Sequence, residues 1–408
     1  MTMIGIKKKL LNYYEDILQV INDKDSFQQN SLAMLKALEN NGLSDFEEKQ
    51  WLGYAAHIYA AYAAVKIYKE TMDETLDFSR EEVDQVLNFY SEHIDIPNIK
   101  SMGIYACARQ LEIEDPMRCY ELTKMAFTVD RDLAKNLGIE YRYEGRATEE
   151  NLTEICPFCG SGKNHHIPHY CSPQITYLKK NELLPPAKLW MKCDKCENLF
   201  TYNFPVSDAV LINGSYAKKE KEVLGTQFLL SFYSSIFNQF KMLTKGTDYL
   251  EIGVGTGEML AVAQEFGYQV EAVEICKEDC ERISSVLDVN ISWCNIMDYE
   301  TDKQYDVIVM GDVLEHVTEP LHVLKKVKRM LKKDGILWIS TPNYNSAYAR
   351  MQKFSHCMWH ILTHYTYVSY ESLKNILDNL DMQIIRYDIS SRYIGSMEVF
   401  VKHMEDAG

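Results

Sequence analysis

The run Asp248-Tyr249-Leu250-Glu251-Ile252-Gly253-Val254-Gly255-Thr256-Gly257 constrains this 408-residue chain more than any other. An apolar strand-length segment ends in a carboxylate, turns through three alternate glycines and enters a helix-like run from Glu258 to Phe266. Glycines at such a turn let backbone come close to a ligand. From Thr247 onward the pattern repeats: Gln269 to Glu274, Tyr305 to Met310 and Gly335 to Ser340 are short apolar runs separated by helical lengths. This predicts an α/β domain built on a doubly wound, mostly parallel sheet. Two further runs, Met382 to Tyr387 and Met397 to Lys402, lie close enough in sequence to predict an antiparallel hairpin at the sheet edge. A pyrophosphate-binding GxGxxG turn would need glycine at 258, where Glu258 stands, so a dinucleotide site is disfavoured.

The glycine run resembles motif I of the class I S-adenosylmethionine (SAM)-dependent methyltransferases, and the resemblance extends from about Val223 to the C-terminus. It implies a Rossmann-like domain with a mostly parallel seven-stranded sheet and SAM as cofactor. Gly253, Gly255 and Gly257 would pack against the methionine half of SAM, and Glu251 would lie near its ammonium group. SAM brings a cationic amine and a sulfonium instead of phosphates, so carboxylates suit it. Glu274, at the end of the second strand, would accept the ribose hydroxyls. After the third strand, Asn295 or Asp298 would meet the adenine, Asn295 being favoured by position. Asp312-Val313-Leu314-Glu315-His316 resembles the family's "DVLEH" segment at the carboxyl edge of the fourth strand, and adds Asp312 to the cofactor set.

Methyl transfer from a sulfonium requires mainly positioning, with a base only where the acceptor must lose a proton. The candidates are His316 and His364. His364 follows the Thr341-Pro342-Asn343 turn in an arrangement that resembles methyltransferases of sugars and quinone precursors, where "TPN" precedes "EHxxxF"; here Thr363 replaces the glutamate. His364 therefore reads equally as a base or as a residue that orients substrate, and His316 as one that caps or orients the cofactor loop. Trp359, His360, Tyr365 and Tyr367 are candidate pocket residues or plain core.

Cys156-Pro157-Phe158-Cys159 and Cys193-Asp194-Lys195-Cys196 form two CxxC knuckles with 33 residues between them. Four thiolates in two such pairs suit a tetrahedral structural Zn2+ with no open position, and His165, His166, His169 and Cys171 lie between them. The module resembles the "CPxCG…CxxC" ribbon found ahead of the SAM domain in bacterial sugar and natural-product methyltransferases.

Residues 1–145 carry helical spacing, as in Leu10, Tyr13, Tyr14, Ile17 and Ile21, and show no repeat of fixed period. Within them, Ile104 to Leu137 reads as a helical hairpin with Asp115-Pro116 opening its second helix. The predicted organisation is an all-α domain over 1–145, a small zinc ribbon over 146–216 and the SAM-dependent methyltransferase domain over 217–408. A net charge of -16 disfavours nucleic acid and anionic membrane as partners. No signal-peptide core or spanning segment is expected, which points to a cytoplasmic protein. The function expected is methyl transfer to a small-molecule acceptor, a sugar or specialised metabolite. The alternatives are a peptide, protein or carrier-bound acceptor docked by the helical domain, or a SAM-binding regulator without turnover.

Overall fold

The computed structural model describes residues 97–136, 150–173, 185–205, 227–361 and 363–404, with isolated positions 84, 87, 88 and 142. The expected helical pattern at Leu10 to Ile21 lies outside the described residues. Two compact units result. One takes the described parts of Met1–Glu150 with Pro168–Leu189, and the other those of Asn151–Ile167 with Trp190–Gly408.

In the first unit, α1 (Pro97–Gln110) and α2 (Pro116–Val129) form the predicted hairpin, followed by the short α3 (Leu133–Asn136). The Asp115 carboxylate accepts from the Arg118 N–H and Pro116 occupies the first turn. A capping acceptor and a fixed φ together start α2 where the sequence predicts.

The second unit is organised by a seven-stranded sheet. Its strands are β6 (Asp248–Ile252), β7 (Gln269–Glu274), β8 (Asn290–Trp293), β9 (Tyr305–Gly311), β10 (Leu331–Pro342), β12 (Met382–Ile389) and β13 (Ser396–His403), in the spatial order β12-β13-β10-β9-β6-β7-β8. The first five run parallel; β13 pairs antiparallel with both β10 and β12. The expected edge hairpin is therefore present, with its second strand inserted beside β10. Ile336, Leu337, Trp338 and Ile339 of β10 are all fully buried, which is why this strand reads as an unbroken apolar run.

Helices α4 (Gln227–Leu243), α5 (Glu258–Glu265), α6 (Lys277–Ser284), α7 (Pro320–Met330), α8 (Ala347–Gln352) and α9 (Tyr370–Asp378) complete this domain. On α4, Tyr233, Ile236, Phe237 and Phe240 recur at three- and four-residue steps, and they join Tyr249, Tyr268, Trp338 and Phe400 in the core. Among the described residues, no helix is long and apolar enough to cross a membrane.

A smaller sheet of order β11-β4-β3-β2 joins β2 (His166–Pro173), β3 (Ala187–Cys193), β4 (Leu199–Thr201) and β11 (Thr366–Tyr367). Two residues of β11 are enough to tie the cysteine knuckles to the domain of the larger sheet: Thr366 pairs with Phe200 and Tyr367 with Leu199.

Candidate active site

The turn after β6 is held open by its own backbone. Gly253 donates its N–H to the Val273 carbonyl at 2.9 Å and Val254 donates to Glu274 Oε2 at 3.0 Å, so the loop is pinned to β7. Gly253 has φ +77° and Gly255 φ +50°, in the left-handed region that other residues avoid. A Cβ on Gly253 would sit 2.7 Å from Val313 Cγ2, whereas one on Gly255 would meet nothing within 4 Å and would instead fill the space above the loop. From below, Arg282 of α6 donates to the Gly255 and Thr256 carbonyls at 3.0 and 3.2 Å.

Above this loop lies a cavity of about 700 Å³ whose lining includes Glu251, Gly253, Gly255, Asp312, His316 and His364, six of the residues singled out in the sequence. Tyr233, Glu258, Glu315, His356 and Arg392 line it as well. Gly257, Glu274 and Asn295 stand outside this lining. Gly257 caps α5 in the left-handed conformation. Glu274 is buried, with Oε1 accepting from the Cys276 N–H at 2.8 Å and Oε2 from Val254; it shapes the glycine loop. Asn295 Oδ1 accepts from the Met297 N–H at 3.0 Å.

One wall of the cavity is acidic. Glu251 is buried, and burial pushes its carboxyl up to about 8, against the hydrogen bond from Tyr249 Oη at 2.8 Å. A buried carboxyl of this kind favours a cation beside it. Glu258, also buried, occupies the first turn of α5, where a phosphate would otherwise find its N–H donors; a pyrophosphate would meet a carboxylate there. Asp312 has φ +56°, accepts from Ser340 Oγ at 2.7 Å and pairs with Arg392 at 3.5 Å; burial raises its carboxyl and Arg392 opposes this.

The facing wall carries imidazoles whose protons are located by their partners. His316 Nδ1 lies 2.9 Å from the Thr363 carbonyl, which can only accept, so Nδ1 holds the hydrogen. Tyr367 Oη donates to the Met358 carbonyl and lies 2.8 Å from His364 Nδ1, so it accepts the Nδ1 hydrogen of His364. In the neutral form each ring therefore has its hydrogen on Nδ1 and its lone pair on Nε2. They meet edge to face with centroids 4.6 Å apart. The Glu315 carboxylate is fully buried and raised well above its usual range by that burial, with Asp312 adding to the effect. It accepts from Thr341 Oγ1 at 3.0 Å. Glu315, His316 and His364 each bring one ligand atom within 4.8 Å of the others, a donor set also suited to a divalent cation. The glutamate that Thr363 displaces from the sequence motif has a spatial counterpart in Glu315.

The four knuckle cysteines converge within the second unit. Cys156 and Cys196 Sγ lie 3.6 Å apart and Cys159 and Cys193 3.7 Å apart. Four sulfurs at a Zn–S distance of about 2.3 Å would be separated by about 3.8 Å along each tetrahedral edge, so these residues fit zinc. The Cys156 thiol donates to Cys196 and lowers it to about 5, so one thiolate is already favoured. Beyond the knuckles, Thr201 donates its N–H to the Tyr365 carbonyl at 2.8 Å and Tyr365 donates to the Glu315 carbonyl at 2.7 Å. Trp190 of β3 stacks on Tyr367 with centroids 4.5 Å apart and meets Trp359 edge on. Of the aromatic residues expected either as pocket or as core, Trp359, Tyr365 and Tyr367 are buried core and carry the His364 loop, while His360 is half-buried.

A parallel sheet with an inserted antiparallel β13, a glycine loop after its first strand and an acidic cavity at the carboxyl edge define the class I SAM-dependent methyltransferase fold. Residues 226–387 match the family model described as "Methyltransferase domain". Among curated relatives, the chain is 28% identical over 109 residues to a ubiquinone biosynthesis O-methyltransferase of Haemophilus ducreyi, covering 24% of this chain and 46% of that protein. It is 25% identical over 163 residues to an uncharacterized methyltransferase of Staphylococcus carnosus, covering 37% of this chain and 77% of that one. The chain spans less than half the length of the ubiquinone biosynthesis relatives it matches first. The magnesium protoporphyrin IX methyltransferase of Synechocystis, solved with bound SAH, aligns with TM-score 0.39 and 12% identity over 48% of this chain and 100% of that one.

Sequence reasoning missed Arg392, Tyr233, Glu315 and His356. Glu315 had a signal, since it sits inside the quoted "DVLEH" segment. Arg392 had none: it lies in the turn between β12 and β13, 80 positions beyond Asp312 and 28 beyond His364.

Proposed function

We propose that the protein transfers a methyl group from SAM to a small-molecule acceptor, a sugar or specialised metabolite, bound in the cavity over the glycine loop. The observation that carries this reading is one cavity with carboxylates on the glycine-loop side and the two imidazoles of His316 and His364 on the facing side, each held through Nδ1. Its volume of about 700 Å³ suits a small ligand set. When bound, SAM supplies an electrophilic methyl on a sulfonium, open to in-line attack by an acceptor heteroatom or carbon.

The chain's own residues divide the remaining work. Glu251 holds the ammonium of the amino-acid moiety in its ionised form, and Gly253 and Gly255 let backbone approach without a side chain in the way. Glu274 and Asn295, along the same sheet edge, serve the ribose and adenine. Gly257 starts α5 at the required angle. His364 Nε2 takes the proton from a protic acceptor, with Tyr367 Oη and the Met358 carbonyl fixing the tautomer that makes it a base. His316 orients the loop through its bond to the Thr363 carbonyl.

Cys156, Cys159, Cys193 and Cys196 hold a structural Zn2+, which stiffens the strand pair behind His364. The same reading divides the chain into a helical domain over 1–145, a ribbon over 146–216 and the methyltransferase domain over 217–408, supported by the change of sequence texture near Glu150. The test is a methyl-acceptor screen with radiolabelled SAM against sugars, phenols and peptides. Label in a small acceptor, lost in His364→Ala, supports the reading. Label found only in peptide or protein counts against it.

A further inference from the structure

Arg392 lines the cavity from the β12–β13 turn, and its side chain is only 14% exposed. Its guanidinium lies between two aromatic rings, 5.3 Å from the Tyr233 centroid and 4.9 Å from that of Tyr393. Such stacking fixes the plane of the donors. A guanidinium has five N–H donors. Among the described residues, only Nη2 is used: it donates to Tyr393 Oη at 3.2 Å and pairs with Asp312 at 3.5 Å. Nε and Nη1 find no acceptor in the described residues, and neither is sealed from solvent, so both stay available to a ligand.

The charges around it narrow what it can receive. Glu251, Glu258 and Asp312 line the same cavity. An anion alone would leave the buried Glu251 without the cation that its ionised form calls for, and a cation alone would be repelled by Arg392. An α-amino-acid group, with ammonium and carboxylate on one carbon, satisfies both signs at once. We propose that Arg392 receives the α-carboxylate of the amino-acid moiety of SAM while Glu251 takes the ammonium on the same carbon. This rests on the SAM-binding reading above and extends it: the edge hairpin, remote in sequence from the glycine loop, completes the cofactor site. An acceptor carboxylate is the other source of the same chemistry, and the test separates the two.

Calorimetric titration of the zinc-loaded full chain would use S-adenosylhomocysteine and its decarboxylated analogue, which keeps the ammonium and loses the carboxylate. The wild type should prefer S-adenosylhomocysteine by about 30-fold, the range of a charge-assisted hydrogen-bonded pair. Arg392→Met should lose about that factor for S-adenosylhomocysteine and stay within about twofold for the analogue, so that the preference collapses. Arg392→Lys, which keeps the charge without the planar fork, should fall between. Unchanged thermal melting would show both variants folded. A preference that survives Arg392→Met overturns the proposal and transfers the arginine to an acceptor anion. Equal weakening of both ligands, or a wild type that binds both alike, also overturns it while leaving SAM binding intact. A wild type that binds neither ligand removes the underlying reading together with it.

Discussion

The two walls of the cavity are built by different means. The glycine-loop wall is local: Glu251 through Gly257 is one continuous stretch, fixed by left-handed glycines and by bonds to the adjacent strand. The histidine wall is assembled from distance. His364 takes its orientation from Tyr367, Tyr367 from the Met358 carbonyl and the Trp190 ring, and β11 from the strand that follows the second cysteine knuckle. Damage to the first wall should therefore appear in cofactor affinity, and damage to the second in turnover.

The largest effect expected is at the loop. Gly255→Trp fills the open space above it and should weaken S-adenosylhomocysteine by about a thousandfold, since the ligand loses its approach outright. Calorimetry that finds affinity preserved would place the ligand elsewhere. On the opposite wall, His364→Ala should lower kcat by about 10²- to 10³-fold with cofactor affinity nearly unchanged. Tyr367→Phe should cost about tenfold in kcat, because a misdirected tautomer weakens the base without removing it. A rate that does not move in His364→Ala would leave that histidine an orienting role only.

Zinc sharpens the comparison because the knuckles back only one wall. Stripping the metal, or Cys159→Ser, should lower kcat by about 10- to 100-fold while S-adenosylhomocysteine affinity changes less than about threefold. Elemental analysis of reduced protein should find one zinc per chain, lost in the variant. Equal loss in both readouts would mean that the ribbon supports the whole domain and not the histidine wall.

A smaller effect is expected from Glu251. Burial raises its carboxyl from the usual carboxylate range to about 8 in the folded, ligand-free protein. Between the unfolded and folded values the native state binds the extra proton, so stability from this group falls as pH rises and reaches its full cost above pH 8. Glu251→Gln should therefore raise the Tm of the ligand-free protein at pH 8.5 by a few degrees, about 2–4 °C for each kcal/mol relieved, with the gain shrinking toward pH 5.

These differences also explain what the sequence disclosed. Asp248–Ile252 and Gln269–Glu274 were legible to the residue because each short apolar-rich segment is buried toward its carboxyl end and is followed by a break before a helical run, and Asp115-Pro116 because capping is local chemistry. The cysteine knuckles were legible because metal geometry restricts spacing. Arg392 was not, since an arginine in a Ser-Ser-Arg-Tyr turn looks like any solvated loop until Tyr233 and Asp312 are brought beside it. Thr363 is a related case: its carbonyl, which every residue possesses, is what His316 uses, and Glu315 brings a carboxylate within 4.8 Å of both imidazoles. Glu274 is a third case. A carboxylate at a strand end reads as a ligand group, and here its oxygens also accept from the Val254 N–H of the glycine loop and the Cys276 N–H beyond its own strand, a bracing duty that the sequence does not display.

The most direct test of the two-walled site is calorimetric titration of folded, zinc-loaded protein with S-adenosylhomocysteine across pH 6.5 to 9. The account predicts one site per chain, with affinity rising about tenfold per pH unit up to about 8 and level above it, as Glu251 must release its proton to hold the ammonium. The same titration on Glu251→Gln should be weak and flat. Absence of binding by the folded protein, or a wild-type affinity that does not change with pH, would contradict it.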